Sequence, residues 1–291
     1  MGLAVSGGPD SLAMMLLAHA AFPGSVEAAT VDHGLRPESA DEAAMVARLC
    51  AELSVPHATL RVAVAGGNLQ DEARKARYAA LEGWARERGL SAIATAHHAD
   101  DQAETLLMRL NRASGVTGLA GVRARTHVPG GDLVLLRPLL GWRRAELRAV
   151  LDVAGIVAAQ DPSNADERFD RVRMRQALAG TDWLDILALA QSAGHLADAD
   201  QALQWAADRE WEAQVTEQDG GYLYRPRAPR AIRLRVLAKA IGLLGGLPRG
   251  GGVAQLDDAL TRGSAANCGG VAGRSTVDGW LLEPEPPRRT R

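Results

Sequence analysis

The sequence predicts a doubly wound α/β domain on a five-stranded parallel sheet, followed by a smaller, mostly helical C-terminal domain. Three observations predict it. Short apolar runs alternate with helical stretches over residues 1–140, the pattern of a parallel sheet covered by helices on both faces. A glycine-rich junction, Ser6-Gly7-Gly8-Pro9-Asp10-Ser11, separates the first apolar run from the first helical stretch. From about Thr181 the alternation stops and helical patterns take over.

The elements follow in order. Strands are expected at 2–5, 27–32, 57–62, 91–96 and 133–137, and helices at 10–20, 39–54, 69–88 and 100–112. Residues 141–178 read as two helices joined by a loop around Asp161-Pro162-Ser163-Asn164. Helices at 183–208, 229–243 and 253–261 come next. The chain divides into a nucleotide-binding domain over 1–180, a mostly helical domain over 181–283, and a tail over 284–291 rich in Pro and Arg, a composition that stays disordered. In a doubly wound sheet, ligands bind beyond the C-terminal ends of the strands, near the point where strand order reverses.

Composition narrows the class. The chain has 291 residues, 47% of them apolar, enough for two domains with buried cores. No apolar run reaches the length of a membrane span, and the chain enters a strand at once, so neither a membrane nor a signal peptide is expected. Cys50 and Cys268 are the only cysteines and form no CxxC, which excludes a zinc ribbon or a redox pair and makes a cytoplasmic location the expectation. The net charge of −2 does not announce nucleic-acid binding. Residues 220–256, however, hold Arg225, Arg227, Arg230, Arg233, Arg235, Lys239 and Arg249 and no acid. A near-neutral chain can thus carry a basic face, with Arg230, Arg233 and Arg235 as candidate RNA contacts. The plainer alternative is that these arginines cover a helical domain.

The junction at 6–11 is the most informative segment. Gly7 and Gly8 allow a sharp turn and close approach of a ligand. Pro9, Asp10 and Ser11 suit the first helical turn, where unpaired N–H groups point outward. Such a junction cradles phosphate, although a plain Gly-rich turn is the alternative. It has no Lys and so is not a Walker A loop. Hydroxyls, N–H groups and a carboxylate suit a pyrophosphate held through Mg²⁺.

Four further segments carry chemistry. Asp32 and His33, in Val31-Asp32-His33-Gly34-Leu35-Arg36, follow the second strand, where a nucleoside commonly lies; a solvated turn is the alternative. In the stretch from Asn68, a plausible N-cap, to Tyr78, Arg74 and Arg77 share a helix face and suit phosphate or carboxylate; a salt-bridged surface helix is the alternative. In Thr95–Thr105, the spacing of Asp100, Asp101 and Glu104 clusters the acids on one face of a helix starting near Ala99. Such a cluster holds Mg²⁺, orients an ammonium group, accepts a proton or caps the helix. Zinc is disfavoured, because His97 and His98 diverge and no Cys or third His is near. Behind Asp161–Asn164, Arg171 and Arg175 share one helix face and Arg173 points elsewhere, for closing over phosphates, contacting RNA, or as solvated surface charge.

Together these segments resemble the tRNA(Ile)-lysidine synthase family of the PP-loop ATP pyrophosphatases, whose fold is adenine nucleotide alpha hydrolase-like. The resemblance rests on SGGPDS, VDHGLRPES, DEARKARY, TAHHADDQAET and DPSNADERFDRVRMR, and covers roughly residues 1–178. SGGPDS alone is shared across PP-loop enzymes; VDHGLR with AHHADDQAET is far more specific. Val172 stands where the family commonly has Asn, and only four residues separate Met1 from Ser6.

The resemblance implies a ligase that adenylates C2 of the wobble cytidine of an isoleucine tRNA with a CAU anticodon, then replaces the C2 oxygen with the ε-amine of free L-lysine. AMP and pyrophosphate are released. It implies ATP and Mg²⁺, with Ser6, Gly7, Gly8, Pro9, Asp10, Ser11, Asp32 and His33 on ATP and Asp10 at the Mg²⁺–pyrophosphate end. It makes Arg77, Asp101 and Glu104 the lysine- and adenylate-handling cluster, with Asp10, Arg77, Asp101 and Glu104 catalytic. Arg171, Arg173, Arg175, Arg230, Arg233 and Arg235 are expected on the tRNA side, and a homodimer is allowed. Two rival readings are a tRNA-thiolating PP-loop enzyme, which needs cysteines near its site where this domain has only Cys50, and a nucleotide-binding regulator without catalysis, which needs no acidic cluster.

Overall fold

The computed structural model describes residues 1–34, 38–63, 69–159, 170–248 and 250–285. Arg36, Asn68, the Asp161–Asn164 loop, Arg249 and residues 286–291 lie outside the described residues.

The order is β1 (Gly2–Ala4), α1 (Pro9–Ala21), β2 (Glu27–Asp32), α2 (Glu38–Glu52), β3 (His57–Arg61), α3 (Leu69–Glu87), β4 (Ala92–Ala94), α4 (Ala99–Leu110), α5 (Val116–Leu119), β5 (Arg125–His127), β6 (Val134–Leu136), α6 (Arg144–Ala154) and α7 (Asp170–Ala179). The helix α8 (Ile186–Gln214), β7 (Val215–Gln218), β8 (Gly221–Tyr224), α9 (Arg230–Leu243), α10 (Gly250–Thr261), β9 (Ala265–Cys268), β10 (Val271–Thr276) and β11 (Gly279–Pro284) follow. The chain divides into two compact units, Met1–Ala197 and Asp198–Arg291, with the division falling within the residues of α8.

In the first unit the sheet order is β3-β2-β1-β4-β6-β5. The five expected strands pair in parallel. A sixth, the short strand β5, pairs antiparallel with β6 at the edge. Strand order reverses at β1, which lies between β2 and β4, so the crevice opens beyond the ends of β1 and β4. Cores form on both faces. One gathers Leu3, Val5, Leu12, Met15, Val46 and Cys50 with Leu147 and Leu151 of α6. The other packs Tyr78, Leu81 and Trp84 of α3 on Ala29, Ile93 and Leu135. Two-sided burial explains why the strands read as apolar runs without alternation.

The helix α6 bears on the site. Leu147 and Leu151, four apart, turn one stripe inward. The Glu146 carboxylate accepts the Arg143 N–H at 2.6 Å to close the first turn, and Gly155 ends the helix at φ 67°.

The second unit departs from a mostly helical reading. Besides α9 and α10 it holds a five-stranded sheet in the order β7-β8-β11-β10-β9, with every pairing antiparallel. Val236, Leu237 and Ile241 of α9 and Leu256 and Leu260 of α10 pack against Tyr224, Val271 and Leu282 of the sheet.

Candidate active site

The glycine-rich junction turns off β1 as its residues dictate. Gly7 adopts φ +87°, which favours a residue without a side chain, and its carbonyl accepts the Ala159 N–H at 3.1 Å. Ser11 Oγ accepts the Ser6 N–H at 3.1 Å, lies 3.2 Å from Ser6 Oγ and donates to the Gly8 carbonyl at 2.9 Å. These bonds hold the loop's shape before any ligand binds. Gly8 caps α1 in extended geometry, and a Cβ there would meet only Ser6 Oγ, at 3.7 Å. Among the described residues the space beside Gly8 at the helix N-terminus is otherwise open, which suits a phosphate.

Beyond the ends of β1 and β4 lies a cleft of about 640 Å³. Ser6, Gly8, Pro9, Asp10 and Ser11 form one side of it, and Thr95, His97 and Asp101 another. Among the described residues five arginines line it, Arg77, Arg144, Arg148, Arg171 and Arg175, against three carboxylates, Asp10, Glu42 and Asp101. A cation excess in a partly enclosed cleft draws in an anionic ligand.

Asp10 stands in the first turn of α1 with Oδ2 at 3.4 Å from His98 Nε2, while its Oδ1 is buried without a hydrogen-bond partner among the described residues. Burial pushes this carboxyl up, but the His98 hydrogen bond and the charges of His98, Arg144 and Arg175 outweigh it and hold it below the usual value. His98 is fully buried and also lies 3.6 Å from oxygens of Asp100 and of Asp101. It therefore ties the phosphate loop to the start of α4.

The helix α4 begins at Ala99, as the spacing predicts, but its acids do not act as one cluster. Asp101 Oδ2 accepts the His98 N–H at 3.1 Å, and its Oδ1 accepts Arg171 Nη2 at 3.1 Å on the cleft wall. Glu104 is 1% exposed and does not line the cleft; it accepts Arg171 Nε and Arg175 Nε, each at 2.9 Å. Asp100 turns the other way and accepts the Arg144 N–H at 2.9 Å and Arg143 Nε at 3.2 Å. Only Asp101 of the three reaches the cleft, because Asp100 and Glu104 hold neighbouring helices in place.

The other candidates divide similarly. Asp32 ends β2, where its Oδ1 accepts the Gly34 N–H at 2.9 Å and the Ser39 hydroxyl at 2.6 Å, so its side chain fastens its own turn. These bonds hold its carboxyl below the usual value. His33 lines the cleft, with Nδ1 buried and without a hydrogen-bond partner among the described residues. Arg77 lines the cleft too, with its guanidinium 5.5 Å from the Tyr78 ring centre. His97 Nδ1 lies 3.0 Å from Thr95 Oγ1, and burial pushes its pKa down to about 4, so the ring is neutral at pH 7.

Of the arginines expected on the tRNA side, Arg171 and Arg175 line the cleft. Arg173 pairs with Asp170, as does Arg112 at 2.9 Å, in a separate groove of about 300 Å³ between α4 and α7. Val172 is buried on α7, as its apolar side chain requires. In the second unit, Arg233 binds both oxygens of buried Asp257 at 2.8 and 3.0 Å. Arg230 reaches Asp258 at 3.1 Å, and Arg235 pairs with Asp200. The acid-free stretch is thus neutralised from outside its own span. The exposed Arg225 and Arg227 of the same stretch have no acid in ion-pairing range among the described residues.

Sequence reasoning missed Arg144 and Arg148, because α6 reads as an ordinary amphipathic helix. It also missed His98 as the link between Asp10 and Asp101. The adjacency of two histidines to Asp100-Asp101 was the available signal.

A family model described as the PP-loop domain matches residues 1–181. The tRNA(Ile)-lysidine synthase of Novosphingobium aromaticivorans is 51% identical over 292 residues, covering 99% of this chain and 90% of that protein. That of Zymomonas mobilis is 38% identical, covering 99% and 89%. Among solved structures, the U34-tRNA thiolase NcsA of Methanococcus maripaludis superposes with a TM-score of 0.56 at 16% identity, over 67% of this chain and 70% of that one, a likeness of fold alone. With a PP-loop domain over its first 181 residues and relatives matched along nearly its whole length, the chain belongs to the tRNA(Ile)-lysidine synthase family.

Proposed function

We propose that the cleft joins free L-lysine to C2 of the wobble cytidine in an isoleucine tRNA with a CAU anticodon, through an adenylated tRNA. The observation that carries this is the pairing of Asp10, beside a preformed phosphate loop, with Asp101 across the same cleft, the two linked through buried His98.

In the first step the C2 oxygen bonds to the α-phosphorus of ATP. The bond from that phosphorus to the bridging oxygen breaks, and its electron pair leaves with pyrophosphate. In the second, the lysine ε-amine bonds to C2, the C2–O bond breaks and AMP departs. An alkylammonium has a pKa of about 10.4 and must lose a proton before it attacks. Asp101 suits holding that ammonium, and the cations beside it favour proton loss. Arg77 lines the cleft with no acid in ion-pairing range among the described residues, which suits the lysine carboxylate. Glu104 acts through Arg171 and Arg175, which it positions.

Mg²⁺ fits the Asp10 end. A carboxylate held ionised, with one buried oxygen unpartnered, is the donor that Mg²⁺ takes alongside phosphate oxygens and water. The ion would supply charge neutralisation on the polyphosphate. His33 and the loop at 6–11 suit the rest of ATP. For the tRNA, exposed Arg225 and Arg227 are better placed than the ion-paired Arg230, Arg233 and Arg235. No helix among the described residues is long and apolar enough to cross a membrane, and a tRNA substrate suits work in the cytoplasm.

A sulfur-transfer reading is opposed by Cys50, which is fully buried against Met15, with burial pushing its thiol pKa up to about 11. The test is pyrophosphate and AMP release from ATP with tRNA and lysine each omitted in turn. Tight dependence of product formation on both supports the reading, and ATP cleavage indifferent to lysine and tRNA refutes it.

A further inference from the structure

The phosphate loop carries no lysine, yet a departing pyrophosphate brings concentrated negative charge that cations must offset. The cations of the cleft are not equally available for this. Arg171 and Arg175 are already bound to Asp101 and Glu104 at 2.9–3.1 Å. Arg77 lies on α3 beside Tyr78, on the side of His33. The helix α6 supplies the remaining two, Arg144 and Arg148, which stand one turn apart and both line the cleft.

Arg144 lies at the loop end. Its Nη2 is 3.5 Å from His98 Nε2, the ring atom that Asp10 Oδ2 approaches at 3.4 Å. The nearest carboxylate to its guanidinium among the described residues is Glu104, with Oε1 at 3.9 Å. Arg148 is exposed at the rim and has no acid in ion-pairing range among the described residues. The backbone beneath them is fixed at three points. Asp100 accepts the Arg144 N–H, the Ala99 N–H donates to the Trp142 carbonyl at 2.9 Å, and the Ala159 N–H, after α6, donates to Gly7 in the phosphate loop.

We infer that Arg144 and Arg148 form a two-arginine clamp on the β- and γ-phosphates of ATP, doing for this loop what the lysine does in a Walker A loop, with Asp100 as the positioning residue that sets Arg144. The inference rests on the ATP-using reading of the cleft. In the adenylation step the clamp holds the charge that collects on the bridging oxygen as its bond to the α-phosphorus breaks, and it leaves the adenosine and α-phosphate to other residues.

The test compares equilibrium binding of ATP and of AMP to the full chain at fixed Mg²⁺, for wild type, Arg144→Ala, Arg144→Lys and Arg148→Ala. The clamp predicts that each alanine variant loses about tenfold or more in ATP affinity, while AMP affinity stays within about twofold. Arg144→Lys recovers part of the loss, since the charge returns without the fork. Arg148, exposed and without a described ion-pair partner, gives a variant that keeps the fold if Arg144→Ala does not. Equal losses for ATP and AMP, or no loss for either, overturn the clamp. Binding needs neither tRNA nor lysine, so failure to form a lysine-modified tRNA would refute the proposed reaction without touching this result.

Discussion

Glu104 accepts the Nε–H of Arg171 at 2.9 Å from a position only 1% exposed. Arg175 takes the other oxygen of the same carboxylate. One buried acid thus orients two cleft arginines, and its role is to hold them. Removing the acceptor leaves the partly buried Arg175 guanidinium without its ion-pair partner and Arg171 held by Asp101 alone. Glu104→Ala is expected to lose about 1–3 kcal/mol of stability, with the partial exposure of the arginines favouring the lower half. A melting temperature unchanged from wild type would contradict this positioning role.

Asp10 has the opposite signature, with a buried oxygen that nothing in the described protein uses. Asp10→Asn is expected to keep the melting temperature near wild type while tRNA-dependent pyrophosphate release falls on the order of 100-fold or more. Release at the wild-type rate would remove Asp10 from the phosphate end.

Asp101 keeps one oxygen on Arg171 and faces the cleft. A charge-assisted contact contributes about 1.5–3 kcal/mol, so Asp101→Asn is expected to raise the KM for lysine about tenfold or more. The KM for ATP is expected to move far less. The two constants moving together would show that Asp101 supports the cleft as a whole.

Burial holds His97 neutral, with its pKa pushed down from 6.5 to about 4. The folded chain therefore binds fewer protons here than the unfolded chain between those values. Stability is expected to be intact above pH 6.5 and to decline as pH falls toward about 4. Denaturant titrations at several pH values check this, with His97→Gln expected to flatten the decline. An equally steep decline in that variant would place the acid sensitivity elsewhere.

Arg233 is bidentate on buried Asp257, whereas Arg225 and Arg227 stand exposed. Arg233→Ala is therefore expected to destabilise the second unit. Replacing Arg225 and Arg227 together is expected to leave stability unchanged, weaken tRNA binding and reduce its salt dependence by about one to two phosphate contacts. Superimposable salt curves for wild type and the double variant would place the RNA surface elsewhere.

The sequence made the first unit legible because its signals are local. The switch from apolar runs to helical spacing placed each parallel strand, and the Gly7-Gly8 turn before Pro9 marked the phosphate loop. The roles of Asp100, Asp101 and Glu104 were not legible. Spacing puts them on one helix, but the helices that supply their arginines come more than 40 positions later. The same blindness made Arg233 and Arg235 look free, since Asp257 and Asp200 come from neighbouring helices. The second sheet had local signals that went unread. Asp219-Gly220 and Gly269-Gly270 are hairpin turn pairs followed by strands of four and six residues, and Val277-Asp278 turn the chain into Gly279, where β11 begins.

By the proposed reaction this cleft exchanges the C2 oxygen of one cytidine for the ε-nitrogen of lysine at the expense of ATP. Mass spectrometry of an isoleucine tRNA with a CAU anticodon, incubated with the protein, ATP, Mg²⁺ and lysine, tests it most directly. The anticodon fragment is expected to gain one lysine less one water, with one AMP and one pyrophosphate per tRNA, and Asp10→Asn is expected to form product on the order of 100-fold more slowly or less. An unmodified wobble cytidine in the presence of folded, ATP-binding protein, or a gain matching sulfur in place of oxygen, would contradict it.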